Sequence, residues 1–194
     1  MHYRIPFTLA GSVYGDYLAV DLARMATKGL LTKTALDPAL LDYVYMGTVI
    51  QECRTSNIAR EAAMGAGIPI DVPASTVTMA CISSNLAITS GVEKILSGKA
   101  DIILAAGAET FSDVPIRFSK KLRQRMLQLP KAAKKGIPGY LGLLKGLSLK
   151  DLAPEAPAIA NYTTGEVMVR TNLYFKVILR VLTVSNLFLH YSGT

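Results

Sequence analysis

The sequence predicts an α/β fold: a mixed, mostly parallel sheet with helices on both faces, followed by a basic, leucine-rich subdomain. Three observations carry this. Helical periods alternate with short apolar runs from the N-terminus to about Phe118. Those runs are β-branched and nearly free of charge, as strands covered on both faces are. Finally, 194 residues at 51% hydrophobic and 18% charged suffice for a sizeable core, which excludes a disordered chain.

The elements follow in order. "GDYLAVDLARMATKGLL" sets Leu18, Leu22, Met25 and Gly29 on one helical face, with Asp16 and Asp21 near the positive end, and predicts a helix over 16–31. After the Asp37-Pro38 turn, "DYVYMGTVI" reads as a buried strand. "SNIAREAAMGAG" is a short helix capped by Ser56 or Asn57 and ended by Gly65 and Gly67. "STVTM" is the next strand. The helix "SSNLAITSGVEKILSG" follows, with Ile88, Val92, Ile95 and Leu96 on one face, and "ADIILAAGAET" closes the series as a strand.

The composition then changes. From Ser119 to Lys150 there are nine Lys and Arg residues and no acid, against twelve basic and fourteen acidic residues elsewhere, so this segment carries the whole basic excess of the +7 chain. It is broken at Pro130 and at the "GIPG" turn of residues 136–139 and reads as an excursion from the sheet. Three regions result: 1–118, 119–168 and 169–194, the last without a consistent apolar period.

Several classes are disfavoured. His2 and His190 are the only histidines and nothing has metal-ligand spacing, so no metal site is expected. Cys53 and Cys81 lie far apart in different kinds of segment, as free thiols of a reduced compartment do. The start, "MHYRIPFTLAG", has neither a secretory nor a transit pattern, so no targeting segment is expected in this chain. The most apolar stretch, Leu173 to Leu189, is interrupted by Lys176 and Arg180, short of the ~18 uninterrupted apolar residues of a membrane span.

Cys81 stands where the run "STVTM" gives way to "ACISSN". A helix starting within a residue or two would aim free N–H groups and its positive end at the sulfur, favouring negative charge there and on an acyl oxygen attached to it. The plain alternative is packing, since cysteine often fills a buried strand-to-helix corner. "TVTMACISSNLAI", with "GTVIQECRTSNIAREAAMGAGIP" before it and "GKADIILAAGAETFSDVPIR" after it, resembles the N-terminal half of a thiolase, and the match runs from about Pro6 to Met168. The resemblance is to mitochondrial 3-ketoacyl-CoA thiolases of fatty-acid β-oxidation. It implies a thiolase-like half-domain and an acyltransferase, with Cys81 taking the acyl group from a 3-ketoacyl-CoA and passing it to coenzyme A as co-substrate, with no permanently bound cofactor.

The resemblance implies more. Met168, in "GEVM", falls where thiolases set a methionine beside the thioester, which makes it a substrate-channel residue or a plain apolar contact. Glu109 and Ser112, in "GAETFSD", are expected to fix a loop under the site. Homodimerisation, an α subunit of trifunctional type and a mitochondrial location, in the matrix or at the inner membrane, are implied as well. The basic segment, with Leu122, Met126 and Leu129 at i, i+4 and i+7, is expected either to lie on an anionic membrane surface or to cover the coenzyme A entrance. Nucleic acid is not expected, because only Tyr140 offers an aromatic platform there.

The family's second half supplies a histidine base, an asparagine motif that positions water and a second cysteine. None of these motifs is present: His190 precedes Tyr191, and Cys53 stands where the family requires no cysteine. The alternative expectation is therefore a truncated, catalytically incomplete chain that keeps only dimerisation and membrane contact. The tail from Val169, whose first two codons can form GTAAGA, is expected to be foreign to the family.

Overall fold

The computed structural model describes residues 1–134, 136–144, 146–155, 160 and 162–167, with only the backbone for 140, 141 and 144. The chain forms two compact units, Met1–Pro115 and a second that begins at Ile116.

In the first unit the elements are α1 (Ala19–Thr34), β1 (Tyr43–Gly47), α2 (Ile58–Gly65), β2 (Ala74–Val77), α3 (Ser83–Leu96) and β3 (Ile103–Gly107). The three strands form one sheet in the order β2-β1-β3, all parallel, with Val44 opposite both Ala74 and Leu104. Alternation along β1 divides the layers. Val44 and Met46 are fully buried with Ile58, Ala59, Ala62 and Ala63 of α2 and Ala19, Ala23 and Leu31 of α1. Tyr43, Tyr45 and Gly47 face α3, where Lys94 lies 3.8 Å over the Tyr43 ring and Tyr43 stacks on Tyr45 at 4.5 Å. The alanines of α2 let the helix lie close against the sheet, and the core is built there.

Helix α1 starts at Ala19, three residues later than its pattern predicts. Leu18 is extended, and its N–H donates to the Asp21 carboxylate at 3.2 Å, which fixes the first turn and leaves Asp16 outside. Its buried line is Ala19, Leu22, Ala23, Thr27 and Leu31, rotated from the predicted Leu18–Leu22–Met25–Gly29 stripe. On the predicted face, the Tyr3 ring of the N-terminal segment occupies the place a side chain at Gly29 would need. Helix α2 is capped by Asn57, whose carboxamide oxygen accepts from Arg60 N–H at 3.2 Å, and Gly67 follows at φ +96°.

Helix α3 departs furthest from its pattern. It rests on the sheet through Ser83, Ala87 and Gly91, while Ile88, Val92, Ile95 and Leu96 are 53%, 49%, 44% and 81% exposed. A Cβ on Gly47 would collide with the backbone of Ser83 and Ser84, and one on Gly107 with the Ser84 side chain. Missing side chains on the strands and small ones on the helix bring α3 so near that its apolar stripe is left pointing outward.

In the second unit, helices α4 (Lys120–Met126), α5 (Leu129–Ala133) and α6 (Ile137–Leu144) replace the expected loop. Pro130 lies in the first turn of α5, where its missing N–H costs nothing; as a continuation of α4 its ring would clash with a carbonyl one turn back. Leu122, Met126 and Leu129 therefore do not share one continuous helix. Ser119 caps α4, accepting from Leu122 N–H at 3.3 Å and donating to the Asp151 carbonyl at 2.7 Å. Lys121 pairs with Asp151 at 3.0 Å, and Glu155 with Arg117 at 3.3 Å and Arg123 at 3.5 Å. The Asp151 carboxyl is held below the usual carboxylate range by the Ser148 N–H and then by Lys121. Part of the basic excess is thus answered by acids just beyond the acid-free stretch.

Candidate active site

Parallel strands deliver all their following loops to one edge of the sheet, the edge at which α/β folds bind ligands. Here that edge carries Gly47, Val77 and Gly107, the last residues of β1, β2 and β3. The loop after β1 is tied to the neighbouring strand by Thr48 N–H donating to the Val77 carbonyl at 3.2 Å. It is also held from the loop after β3: the Glu109 carboxylate accepts from Val49 N–H at 2.8 Å, Ile50 N–H at 3.3 Å and the Thr48 hydroxyl at 3.4 Å. Ser112 accepts from Gly11 N–H at 3.0 Å. Both side chains are spent on loops.

Cys81 lies on the turn between β2 and α3 and is exposed, not packed into a corner. Ala80, just before it, is left-handed at φ +46°. The turn is closed by Ile82 N–H donating to the Met79 carbonyl and Ser83 N–H to the Ala80 carbonyl, both at 3.2 Å. The Ile82 and Ser83 amides are therefore engaged within the turn. What remains at the sulfur is the N-terminal end of a 14-residue helix two positions on and the amide of Cys81 itself. The Ser83 hydroxyl completes the turn, accepting from Met79 N–H at 2.9 Å and donating to the Ala80 carbonyl at 2.6 Å. Sequence reasoning passed over Ser83 and the glycine floor beneath it, although a glycine ending each of two apolar strands is a legible sign of close backbone approach.

Cys53 sits in the loop after β1, also exposed, with its thiol donating to Glu52 Oε1 at 3.1 Å. That hydrogen bond, and then the Glu52 charge, push the Cys53 thiol up from its ordinary range. The Glu52 carboxyl is drawn down, chiefly by Arg54 N–H. Cys53 is therefore a poorer nucleophile than an isolated thiol.

A cavity of about 390 Å³ lies between the N-terminal segment, α1 and the loop after β3, lined by Phe7, Leu9, Tyr14, Leu22, Phe111 and Ser112 among others. Cys81 is not in its wall. Among the described residues, no group of His, Cys, Asp and Glu has the arrangement of a metal site, and no helix is long and apolar enough to cross a membrane. Met168, His190 and the tail 169–194 lie outside the described residues.

Comparisons with known proteins give the family. Residues 1–153 match the family model described as thiolase, N-terminal domain. The chain is 52% identical over 165 residues to the mitochondrial trifunctional enzyme subunit beta of Macaca fascicularis, covering 85% of this chain and 34% of the relative. It is 49% identical over 165 residues to a probable 3-ketoacyl-CoA thiolase of Caenorhabditis elegans, covering 85% of this chain and 36% of the relative. Among solved structures, the Acat5 thiolase from Ascaris suum in complex with coenzyme A superposes with a TM-score of 0.59 at 28% identity, over 61% of this chain and 31% of that one. The chain thus spans about a third of the length of the relatives it matches. With its parallel sheet, its cysteine-bearing turn and this breadth of match, the chain belongs to the thiolase family and carries that family's N-terminal domain.

Proposed function

We propose that this chain contributes the acyl-accepting half of a 3-ketoacyl-CoA thiolase of fatty-acid β-oxidation, with Cys81 as nucleophile. The observation that carries the reading is the exposed Cys81 on a tight turn at the carboxyl edge of the sheet, just ahead of helix α3. In the reaction, the sulfur attacks the 3-keto carbon, the bond between C2 and C3 breaks, and acetyl-CoA leaves after C2 takes a proton. Coenzyme A, the co-substrate, then displaces the enzyme sulfur from the new acyl thioester. The amide of Cys81 is placed to donate to the oxyanion of each addition. Met168 is proposed to line the acyl channel.

These 194 residues contain no histidine near Cys81 in sequence, and losing an acid or base role costs roughly 10²- to 10⁴-fold. The expected outcome is partial chemistry: incubation with a 3-ketoacyl-CoA adds acyl mass to Cys81, and coenzyme A-dependent cleavage stays at background. Intact-mass spectrometry with Cys81→Ala as control checks it. An unmodified Cys81, or steady thiolysis abolished by Cys81→Ala, would count against the corresponding half of the reading.

The same reading sets the chain beside relatives named as subunits of a mitochondrial trifunctional enzyme, and we place it, by analogy, in a mitochondrion, in a homodimer and with an α subunit. The second unit supports contact with an anionic membrane. Lys120, Lys131, Lys134 and Lys150 are exposed and make no ion pair among the described residues, and Leu127, Ile137 and Leu149 are 80%, 77% and 87% exposed. Each lysine at such a surface contributes about 1 kcal/mol. Changing these four to Gln should nearly abolish co-sedimentation with anionic vesicles; sedimentation that ignores both the changes and the lipid charge would favour a coenzyme A cover instead.

A further inference from the structure

Ser83 has no place in the chemistry described above, yet it makes more bonds in the Cys81 turn than any other side chain. Its hydroxyl accepts from Met79 N–H at 2.9 Å and donates to the Ala80 carbonyl at 2.6 Å, while its own N–H donates to the same carbonyl at 3.2 Å. The residue is 3% exposed. Between the two groups it grips stands Ala80 at φ +46°, a conformation unfavourable for a residue with a Cβ. The Ser83 side chain thus spans the turn from before the unfavourable residue to the first turn of the helix after it, with Cys81 inside the loop so closed. Beneath it, the backbone of Ser83 and Ser84 rests where a Cβ on Gly47 would be, so the helix end is seated on the sheet and cannot sink further.

We infer that Ser83 is a positioning residue for Cys81: its two hydrogen bonds hold Ala80 left-handed and thereby fix the sulfur and the Cys81 amide at the end of α3. The inference rests on the reading of Cys81 as acyl acceptor. Without the hydroxyl, Met79 N–H loses its acceptor and the turn is free to relax toward right-handed backbone at Ala80, carrying the sulfur away from the helix end. A displacement of about an ångström at a reacting group costs up to ~10²-fold in rate.

The test uses the full chain with Cys53→Ala, so that Cys81 is the sole thiol. Two rates are measured: acyl transfer from a 3-ketoacyl-CoA to Cys81 by intact mass, and alkylation of Cys81 by iodoacetamide as a function of pH. In Ser83→Ala, acylation should fall roughly 10- to 100-fold and alkylation should slow across the pH range. Adding Ala80→Gly, which adopts the left-handed turn without a Cβ penalty, should recover part of both. Ser83→Thr keeps the hydroxyl and should stay near the parent, and this variant decides the matter if Ser83→Ala does not fold. Parent-like rates in Ser83→Ala, no recovery on adding Ala80→Gly, or a Thr variant as slow as the Ala one would overturn the inference. If the parent itself takes no acyl group, the reading of Cys81 fails, whereas the alkylation rate still decides the role of Ser83.

Discussion

Two exposed cysteines separate at the residue scale because of their neighbours. Cys53 donates its thiol proton toward Glu52, and a carboxylate at 3.1 Å opposes a second negative charge on the sulfur. Glu52 is in turn committed to Arg54 N–H at 2.9 Å, so the opposing charge is held in place. Glu52→Gln should therefore speed alkylation of Cys53 at neutral pH several-fold, since the thiolate is the reacting form. Labelling followed by peptide mapping, with Cys81 as internal reference, reads the ratio; an unchanged ratio would mean that Glu52 does not govern the thiol. The spacing of "QECRTSN" signals none of this, because the bond depends on a loop conformation in which Glu52 also folds back on Arg54.

For the elements, the seating of α3 decides the geometry of the site. The helix approaches through Ser83, Ala87 and Gly91, with Gly91 in place of a side chain that would sit 3.2 Å from Ile103 Cγ2. Gly47 is the least forgiving point, because what a Cβ would meet there is backbone and not the flexible end of a side chain. Gly47→Ala should cost about 1–3 kcal/mol, as overpacking of a close contact does, and should slow acylation of Cys81 along with it. Urea titration of the variant tests the first expectation, and a midpoint equal to the parent's would show that the helix end can shift freely. Helical periodicity identified α3 and its apolar stripe, but which face meets the sheet is set by glycines 36 residues before Ser83 and 24 after it in sequence.

Viewed whole, the first unit has buried its α1 and α2 side and left the outer face of α3 apolar. Ile88, Val92, Ile95 and Leu96 form an exposed stripe on that helix, and contiguous apolar surface of this kind promotes association. Ile88→Lys combined with Val92→Glu should reduce self-association of the isolated chain in gel filtration while leaving its melting temperature within a degree or two, since neither side chain is in the core. A large fall in melting temperature would instead place these residues in the packing of the unit. In the second unit, the lysines without an ion pair among the described residues should be separable by salt from Lys121, bound to Asp151, and from Arg117 and Arg123, bound to Glu155, because exposed pairs contribute little and are screened.

The sequence by itself determined the order and type of the elements in the first unit, the parallel character of the sheet, a cap for α2 at Ser56 or Asn57, between which the structure chose Asn57, and the placement of Cys81 between a strand and a helix. These follow from local propensity, apolar period and connection length, all read within a dozen residues. It also carried the motifs by which the family is known. Only the tertiary structure decided that Tyr3 packs over Gly29 of α1, that the stripe of α3 points outward and that Pro130 divides the basic segment into short helices, the first of them tied to Asp151 and Glu155. It alone joined Ser83 to Ala80 and Met79 around the cysteine, and made the loop after β1 the one that Glu109 fixes. Each of these depends on groups brought together from distant positions, or on a backbone angle such as that of Ala80 that local propensity opposes and surrounding bonds enforce.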